Sequence, residues 1–311
     1  MNGFLALVSS FLVSAVRQAV PLTLAGLGVA CSEKAGVLNI GEEGIMLGGA
    51  FSGFMVGFYT GNLALGILGG ALGGVLFALV HAFLCIRCRA NQTIVGLALN
   101  FFAQGLTSFI FLLAFGKGSS LPSLPKLTSI RIPVLASVPI VGEALFNQNI
   151  LTYLLYGAMV CVSVVFYHTE WGVDLVAVGE NPRAADTAGV HVFRIRYLAC
   201  IVNGILGGMG GCCITLGQLG YFQENIISGK GYMALVAVIL GRYHPLAIFG
   251  CAMVIGFAES LQFFLQTRGV PLPSQAFSMV PYVIAVVVLL FSIGCHFAPA
   301  ALGKPYERDK R

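Results

Sequence analysis

The sequence predicts an all-α polytopic membrane protein with roughly 8–10 transmembrane helices, at least one of them short or broken. Hydrophobic residues make up 58% of the 311 residues and charged residues only 9%, whereas a typical soluble domain is about 25% charged. Apolar runs of roughly 20 residues, long enough to cross a bilayer as a helix, recur along the whole chain. The 40 glycines are a third indication, because small residues let helix backbones pack closely in lipid.

In two of the apolar runs, glycines lie four residues apart and therefore share one face of the predicted helix. These are Gly66, Gly70 and Gly74, then Gly204 and Gly208, and Gly207 and Gly211. The spacing predicts helix–helix contacts and not solute selection.

The apolar segments follow one another in order, and the second of them is irregular. They cover residues 4–30, 36–59, 63–86, 93–115, 150–167, 197–216, 246–265 and 277–293. The second segment carries Asn39, Glu42 and Glu43 near its start with glycines around them, which predicts an opened or broken helix. A further apolar stretch at 233–240 is short for a membrane crossing.

Residues 1–311 are expected to form a single transmembrane domain with three larger polar regions. Residues 116–148 hold four prolines that disfavour a continuous helix, and residues 169–195 and 296–311 hold many of the basic residues. The positive-inside rule places 169–195, the 296–311 tail and the basic loops at 87–89 and 242–244 in the cytoplasm. The N-terminus then lies outside, the chain makes roughly nine crossings, and 116–148 is an extracytoplasmic loop despite Lys117, Lys126 and Arg131.

The sequence lacks the motifs of the common enzyme classes. No G-x-x-x-x-G-K-[ST], G-x-S-x-G or H-E-x-x-H occurs, the five histidines are dispersed, and Cys85-x-x-Cys88 has no second pair. We therefore expect no enzyme activity, catalytic residue, metal or cofactor. The basic residues behind the net charge of +5 are scattered between apolar runs, so nucleic-acid binding is not expected.

Residues 179–190 predict a short capped helix on the cytoplasmic side. Asn181 is a suitable N-cap, Pro182 fits the first helical position, and Gly189 is placed to end the helix after about two turns. Ala184, Ala185 and Ala188 would form a small flat face for docking into a partner's groove. An ordinary interfacial helix is the alternative.

Polar residues within the apolar segments are candidates for a solute path, because such groups usually face a cavity or a partner. The candidates are Asn39, Glu42, Glu43, Asn100 and Gln104. Alternatively, Glu42 and Glu43 mark the water interface. Phe101 and Phe102 offer surface on which a base could stack, and Ser228-Gly229-Lys230-Gly231-Tyr232 loosely parallels the region around Glu42.

Five stretches together carry a family resemblance that nearly spans the chain. They are GVLNIGEEGIML (36–47), RANQTIVGLALN (89–100), VGENPRAADTAGV (178–190), GYMALVAVILGRYHP (231–245) and APAALGKPYE (298–307). The sequence resembles ABC importer permeases of the branched-chain amino acid, ribose and nucleoside superfamily, and among them the smaller permease of two-permease nucleoside systems.

The resemblance implies a place in the bacterial plasma membrane, an ABC importer permease bundle and three kinds of partner. These are a second homologous permease, cytoplasmic ATPase subunits and an extracytoplasmic solute-binding lipoprotein. The residues that it assigns to coupling with the ATPase are Glu180, Asn181, Pro182, Arg183, Ala184, Ala185, Asp186, Ala188 and Gly189. The solute implied is a nucleoside, with riboflavin or a simple sugar as alternatives, since the binding protein largely sets selectivity.

A stand-alone, ion-coupled secondary transporter is the main alternative from another class. It would need an ion site within the membrane, and Glu259 is the one acidic residue deep in a late span, without an obvious acidic partner. A channel or a purely structural scaffold is a further alternative, although no filter motif is present.

Overall fold

A computed structural model describes residues 2–116, 122–133, 141–267, 274–291 and 297–307. Within these ranges most residues are helical, which confirms the predicted all-α polytopic class. The helices are α1 Asn2–Lys34, α2 Glu42–Thr60, α3 Leu63–Ala82, α4 Gln92–Phe115, α5 Val141–Phe146, α6 Ile150–His168, α7 Glu170–Glu180, α8 Pro182–Thr187, α9 Val192–Cys212, α10 Lys230–Leu240, α11 Pro245–Thr267, α12 Ser274–Ser278 and α13 Val280–Phe291. Phe83–Arg87 continues α3 as a π-helix, and Cys213–Leu219 continues α9 in the same way.

Six helical segments of the described ranges are long and apolar enough to cross a membrane. They are Leu7–Lys34, Leu63–Arg87, Gln92–Phe115, Ile150–His168, Val192–Leu219 and Pro245–Thr267. The predicted total of roughly nine crossings counts α2, α10 and α13 in addition, and it stays a prediction.

The backbones of α2, α3 and α9 touch at the centre of the bundle. A Cβ on Gly49 of α2 would lie 2.3 Å from the Cα of Gly208 in α9, and a Cβ on Gly74 of α3 would lie 2.1 Å from the carbonyl oxygen of Gly204. No side chain fits into these gaps, so glycine is required at each contact. The predicted glycine faces are therefore confirmed as helix-packing surfaces.

The basic regions of the sequence meet at one end of the bundle, here called the basic end. Arg89 forms a 2.9 Å ion pair with Glu307, and the Arg242 guanidinium lies 4.4 Å from the centre of the Phe297 ring. The backbone N–H of Ala301 donates to the carbonyl oxygen of Gly179 at 2.9 Å. This grouping fits the prediction that these loops share the cytoplasmic side.

The start of α9 and the course of the last apolar segment differ from the sequence prediction. α9 begins at Val192 and not at Tyr197, so Arg196 lies within a helix and is only 1% exposed. The helix can include this arginine because its Nε donates to the carbonyl oxygen of Ala35 at 3.1 Å. The last apolar segment is divided at Met279, and α13 tolerates Pro281 because proline fits the first turn of a helix.

The described part of the 116–148 region covers the opposite end of the bundle. Strands β1 Ser129–Arg131 and β2 Asn147–Asn149 pair antiparallel, with Ile130 opposite Gln148. The backbone N–H of Leu124 donates to the carbonyl oxygen of Gly220 at 2.7 Å, which ties the region to the end of α9. It is folded surface structure, as expected, and contains only a six-residue helix, α5.

Candidate functional site

Helix α10 begins in the interior of the bundle. It has 11 residues, which at about 1.5 Å per residue span roughly half of the ~30 Å hydrocarbon core. Its C-terminus leads to Arg242 at the basic end, so its N-terminus at Lys230 lies near mid-depth. Residues 220–229 return to this depth from the end of α9 and bury Phe222, Ile226 and Ile227.

Helix α2 also begins in the interior. The chain leaves α1 at the basic end, and residues 35–41 rise without helical structure before α2 starts at Glu42. Glu42 contacts Asn203, which lies eleven residues into α9 and therefore roughly 16 Å from its start. The broken segment that the sequence predicted is thus residues 35–41, and two helix N-termini meet inside the bundle. We call this meeting point the junction.

The carboxylate of Glu43 holds the N-terminus of α10. It accepts hydrogen bonds from the backbone N–H groups of Gly229 and Gly231, each at 2.7 Å. The first N–H groups of a helix lack partners within the helix and carry partial positive charge, so a carboxylate is a favourable partner. A Cβ on Gly231 would lie 2.5 Å from the backbone nitrogen of Glu43, and only glycine permits this approach.

Glu42 joins residues 35–41 to α9 and is fully buried. Its Oε2 accepts hydrogen bonds from the side-chain amides of Asn39 and Asn203, each at 3.0 Å. The Oδ1 of Asn39 in turn accepts from the backbone N–H of Gly41 at 3.1 Å. These bonds compensate part of the cost of removing a carboxylate from water.

Asn100 connects α4 to both helix N-termini. Its Oδ1 accepts from the backbone N–H of Gly44 at 2.8 Å, and its Nδ2 donates to the carbonyl oxygen of Ile40 at 3.0 Å. The same Nδ2 donates to the hydroxyl oxygen of Tyr232 at 2.8 Å. A single amide side chain therefore contacts the start of α2 and the first turn of α10.

The structure brings four of the five predicted path residues into one hydrogen-bonded group. Asn39, Glu42, Glu43 and Asn100 are at most 9% exposed, which argues against the alternative that the two glutamates mark the water interface. Gln104 lies one turn beyond Asn100 on α4 and is exposed. That the five residues line a solute path stays a prediction. The hydrogen bonds also give Asn39, Glu42, Glu43 and Asn100 a structural role.

Sequence reasoning missed Asn203 and the part played by Tyr232. An amide within an apolar span is a signal that could have identified Asn203, since such a group needs a partner in lipid. For Tyr232, the glycines on either side of Lys230 were a usable sign of an opened backbone. Phe101 and Phe102, the predicted stacking residues, are both exposed on α4.

At the basic end, α8 has the local structure that the sequence predicted. The Oδ1 of Asn181 accepts from the backbone N–H of Ala184 at 3.2 Å, and Pro182 takes the first helical position. Gly189 follows with a φ of +95°, a conformation that favours glycine. The capped helix is confirmed, and its contact with an ATPase stays a prediction.

The predicted flat face of three alanines is wrong. Ala184 and Ala188 are exposed, whereas Ala185 is only 5% exposed and packs into the protein. Residues 184 and 188 are one helical turn apart, but residue 185 lies about 100° further round the helix. The outward surface of α8 is formed by Arg183, Ala184, Thr187 and Ala188.

The C-terminal segment 298–307 packs against the basic end. The backbone N–H of Ala301 donates to Gly179, as described above, and the backbone N–H of Gly303 donates to the carbonyl oxygen of Gly36 at 3.3 Å. Tyr306 is 6% exposed, with its ring centre 5.7 Å from that of Phe193. Packing of this aromatic ring fixes the segment against α9.

A groove of about 460 Å³ separates the C-terminal segment from the start of α8. Its charged lining residues are Glu180, Arg183, Lys304 and Glu307.

A buried hydrogen bond ties α1 to the turn before α11: the Tyr243 hydroxyl donates to the Glu33 carboxylate at 2.9 Å. Burial raises the pKa of Tyr243, and the charge of the neighbouring Glu33 raises it further. The hydroxyl therefore keeps the proton that it donates.

Comparison with known proteins gives one family and several relatives. Residues 11–289 match the family described as branched-chain amino acid transport system / permease component. The guanosine ABC transporter permease protein NupQ of Bacillus subtilis is 34% identical, with 98% of each chain covered. The putative glucose ABC transporter permease protein TsgC13 of Haloferax volcanii is 34% identical, over 97% of this chain and 98% of the relative. The nucleoside ABC transporter permease protein NupC of Lactococcus lactis is 31% identical, over 93% of this chain and 94% of the relative.

Proposed function

Since the chain belongs to the branched-chain amino acid transport system permease family, we propose that it forms half of the solute path of an ATP-driven importer for a nucleoside. It is a multi-pass protein of the bacterial plasma membrane and acts as the permease subunit of an ABC importer. The nearly full-length similarity to guanosine and nucleoside permeases carries the choice of solute. The similarity to a putative glucose permease keeps a simple sugar as the second candidate. Riboflavin gains no support from these three relatives.

Energy comes from cytoplasmic ATPase subunits, and α8 is their docking helix in this proposal. Its support is a capped helix at the basic end whose outward surface consists of three small side chains and one arginine. An extracytoplasmic binding protein delivers the solute at the opposite end. A second, homologous permease supplies the other half of the path, as the resemblance implied.

A chain of contacts leads from α8 to the junction. The carbonyl oxygen of Gly179, just before α8, accepts from Ala301, and the next part of the C-terminal segment donates to Gly36. Residues 35–41 then lead to Glu43, which holds α10. In the proposed mechanism, closure of the ATPase pair pushes α8, and this chain of contacts shifts the N-termini of α2 and α10 together.

The ion-coupled transporter is disfavoured by the surroundings of Glu259. Its carboxylate forms an ion pair with the Lys230 ammonium, whose Nζ also lies 3.4 Å from the Oε1 of Gln18. A lysine already neutralises the carboxylate, so the pair offers a driving cation little net negative charge. Among the described residues, no group of three His, Cys, Asp or Glu side chains could hold a metal ion.

Reconstitution into proteoliposomes tests the proposal. The chain is combined with its second permease, the ATPase subunits and the binding protein, and uptake of radiolabelled guanosine, glucose and riboflavin is measured. We expect ATP-dependent guanosine uptake that stops when the ATPase carries a hydrolysis-deficient substitution. Uptake by the chain alone under a proton or sodium gradient would contradict the importer assignment, and ATP-dependent uptake of glucose alone would replace the nucleoside by a sugar.

A further inference from the structure

Three exposed polar side chains lie at membrane depth on neighbouring helices. Gln104 is midway along α4, Tyr232 is in the first turn of α10 and is 40% exposed, and Tyr282 is near the start of α13 and is 49% exposed. An amide facing hydrocarbon would lose its hydrogen bonds with water at a cost of several kcal/mol. Polar groups at this depth face a bundle interior or a water-filled cavity instead. This side of the bundle therefore faces an aqueous space or a partner.

The hydroxyl groups of both tyrosines are held by the protein. The Tyr232 hydroxyl accepts from the Asn100 amide at 2.8 Å, and the Tyr282 hydroxyl donates to the carbonyl oxygen of Ser228 at 3.2 Å. The polar end of each side chain is thus fixed while much of its ring remains exposed. A ring fixed in this way loses little further conformational entropy when a solute contacts it.

Two hydrogen bonds and two short separations along the chain place the three residues on one surface, here called the tyrosine arc. Asn100 contacts Tyr232 and lies one helical turn before Gln104 on α4. Ser228, which contacts Tyr282, lies four residues before Tyr232. The arc therefore runs from α4 across α10 to α13 and borders the junction on its exposed side.

The chemistry of the arc suits one class of solute. Aromatic rings stack on the flat faces of planar heterocycles, and a carboxamide can donate to and accept from the edge of a nucleobase. The ion pair of Lys230 with Glu259 beside the arc adds no net charge, which fits a neutral solute. We propose that Tyr232, Tyr282 and Gln104 form the surface that contacts the base of the nucleoside during its passage. This inference rests on the proposed function and adds the contact residues to it.

Uptake measurements with the complete importer test the arc. Tyr232→Leu and Tyr282→Leu are each expected to lower the initial rate of radiolabelled guanosine uptake about fivefold or more, because one base–aromatic stack is worth roughly 1–3 kcal/mol. Tyr232→Phe keeps the ring and should recover most of the uptake lost in Tyr232→Leu. Gln104→Leu should lower uptake in the same direction. Uptake rates are compared at equal amounts of purified complex.

Tyr59→Leu is the matched control, because Tyr59 is 68% exposed at the far end of α2 and outside the arc. If Tyr232→Leu and Tyr282→Leu take up guanosine at the same rate as the control Tyr59→Leu and the wild type, the arc is overturned and the importer assignment stays intact. Equal losses in Tyr232→Phe and Tyr232→Leu would mean that the hydroxyl contact matters and the ring does not, which also overturns it. If the wild-type complex does not transport guanosine, the nucleoside assignment is wrong, and the assignment of the arc as a base-contacting surface is wrong as well.

Discussion

Glu43, in the first turn of α2, accepts a 2.7 Å hydrogen bond from the backbone N–H of Gly231, 188 residues later in the first turn of α10. This bond joins the two helices that begin inside the bundle. The polar residues before α2 and those before α10, which are far apart in the sequence, thereby form one site. The proposed mechanism and the first prediction both depend on this bond.

Glu43→Gln should destabilise the protein and lower uptake. Glutamine offers one acceptor oxygen where two backbone N–H groups need partners, so one donor is left unpaired in the interior at a cost of about 1–3 kcal/mol. The thermal unfolding midpoint of the detergent-purified permease measures the effect. Glu170→Gln is the control, since Glu170 is exposed at the start of α7. Equal midpoints for the two variants would show that the contact contributes nothing.

Gly211→Ala should destabilise the bundle, whereas Gly157→Ala should not. A Cβ at position 211 would lie 2.0 Å from the carbonyl oxygen of Met46, but one at position 157 meets nothing within 4 Å. We expect a cost of about 1–3 kcal/mol for the first change from overpacking. For the second we expect a gain of up to about 1 kcal/mol from helix propensity. Thermal unfolding of both variants checks the pair, and similar midpoints would contradict the close packing of α2 and α9.

Ala184→Glu should weaken binding of the ATPase without unfolding the permease. Ala184 is exposed on α8, so a longer, charged side chain obstructs docking and is solvated when the partner is absent. We expect about tenfold weaker binding, which corresponds to about 1.4 kcal/mol. Co-purification of ATPase subunits with the tagged permease measures it. Ala185→Glu should instead lower thermal stability, because Ala185 is buried. Normal ATPase binding and coupled uptake in Ala184→Glu would remove α8 as the docking helix.

Tyr306→Ala should release the C-terminal segment from the basic end. Tyr306 is 6% exposed, so the substitution removes the buried aromatic contact between the segment and α9. Hydrogen exchange of the peptide that contains the backbone N–H groups of Ala301 and Gly303 should become faster, by about tenfold for each 1.4 kcal/mol of docking lost. Glu307→Ala should change the exchange much less, because its ion pair with Arg89 is partly exposed. Unchanged exchange in both variants would mean that the segment is held by other contacts.

The positions of the spans could be predicted closely because the bilayer leaves few choices. The apolar run at 63–86 corresponds to α3 and its π-helical end, and the run at 93–115 corresponds to α4 Gln92–Phe115. A run of about 20 apolar residues has only the helix available in lipid. The capped helix α8 was predictable for another reason, since Asn181 and Pro182 act on backbone groups next to them in the chain.

The features that sequence reasoning missed depend on partners far apart in the chain. Nothing near Glu43 indicates that its carboxylate binds the start of α10, and nothing near Tyr306 indicates that its ring packs against Phe193. The face of α8 was predicted wrongly because the small size of Ala185 does not reveal which side of the helix packs against the protein. These properties are set by tertiary packing, whereas periodicity and capping report only local structure.

The glycine contacts at the centre of the bundle also restrict how the permease can move. Where backbone meets backbone, as at Gly49–Gly208 and Gly74–Gly204, no side chain lies between the helices to take up sliding, so we expect α2, α3 and α9 to shift together. Because Glu43 holds α10 to α2, we expect alternating access to arise where this group of helices borders α4 and α13. In the proposed mechanism, displacement of α8 would then open a passage without disturbing the packing that keeps the protein folded.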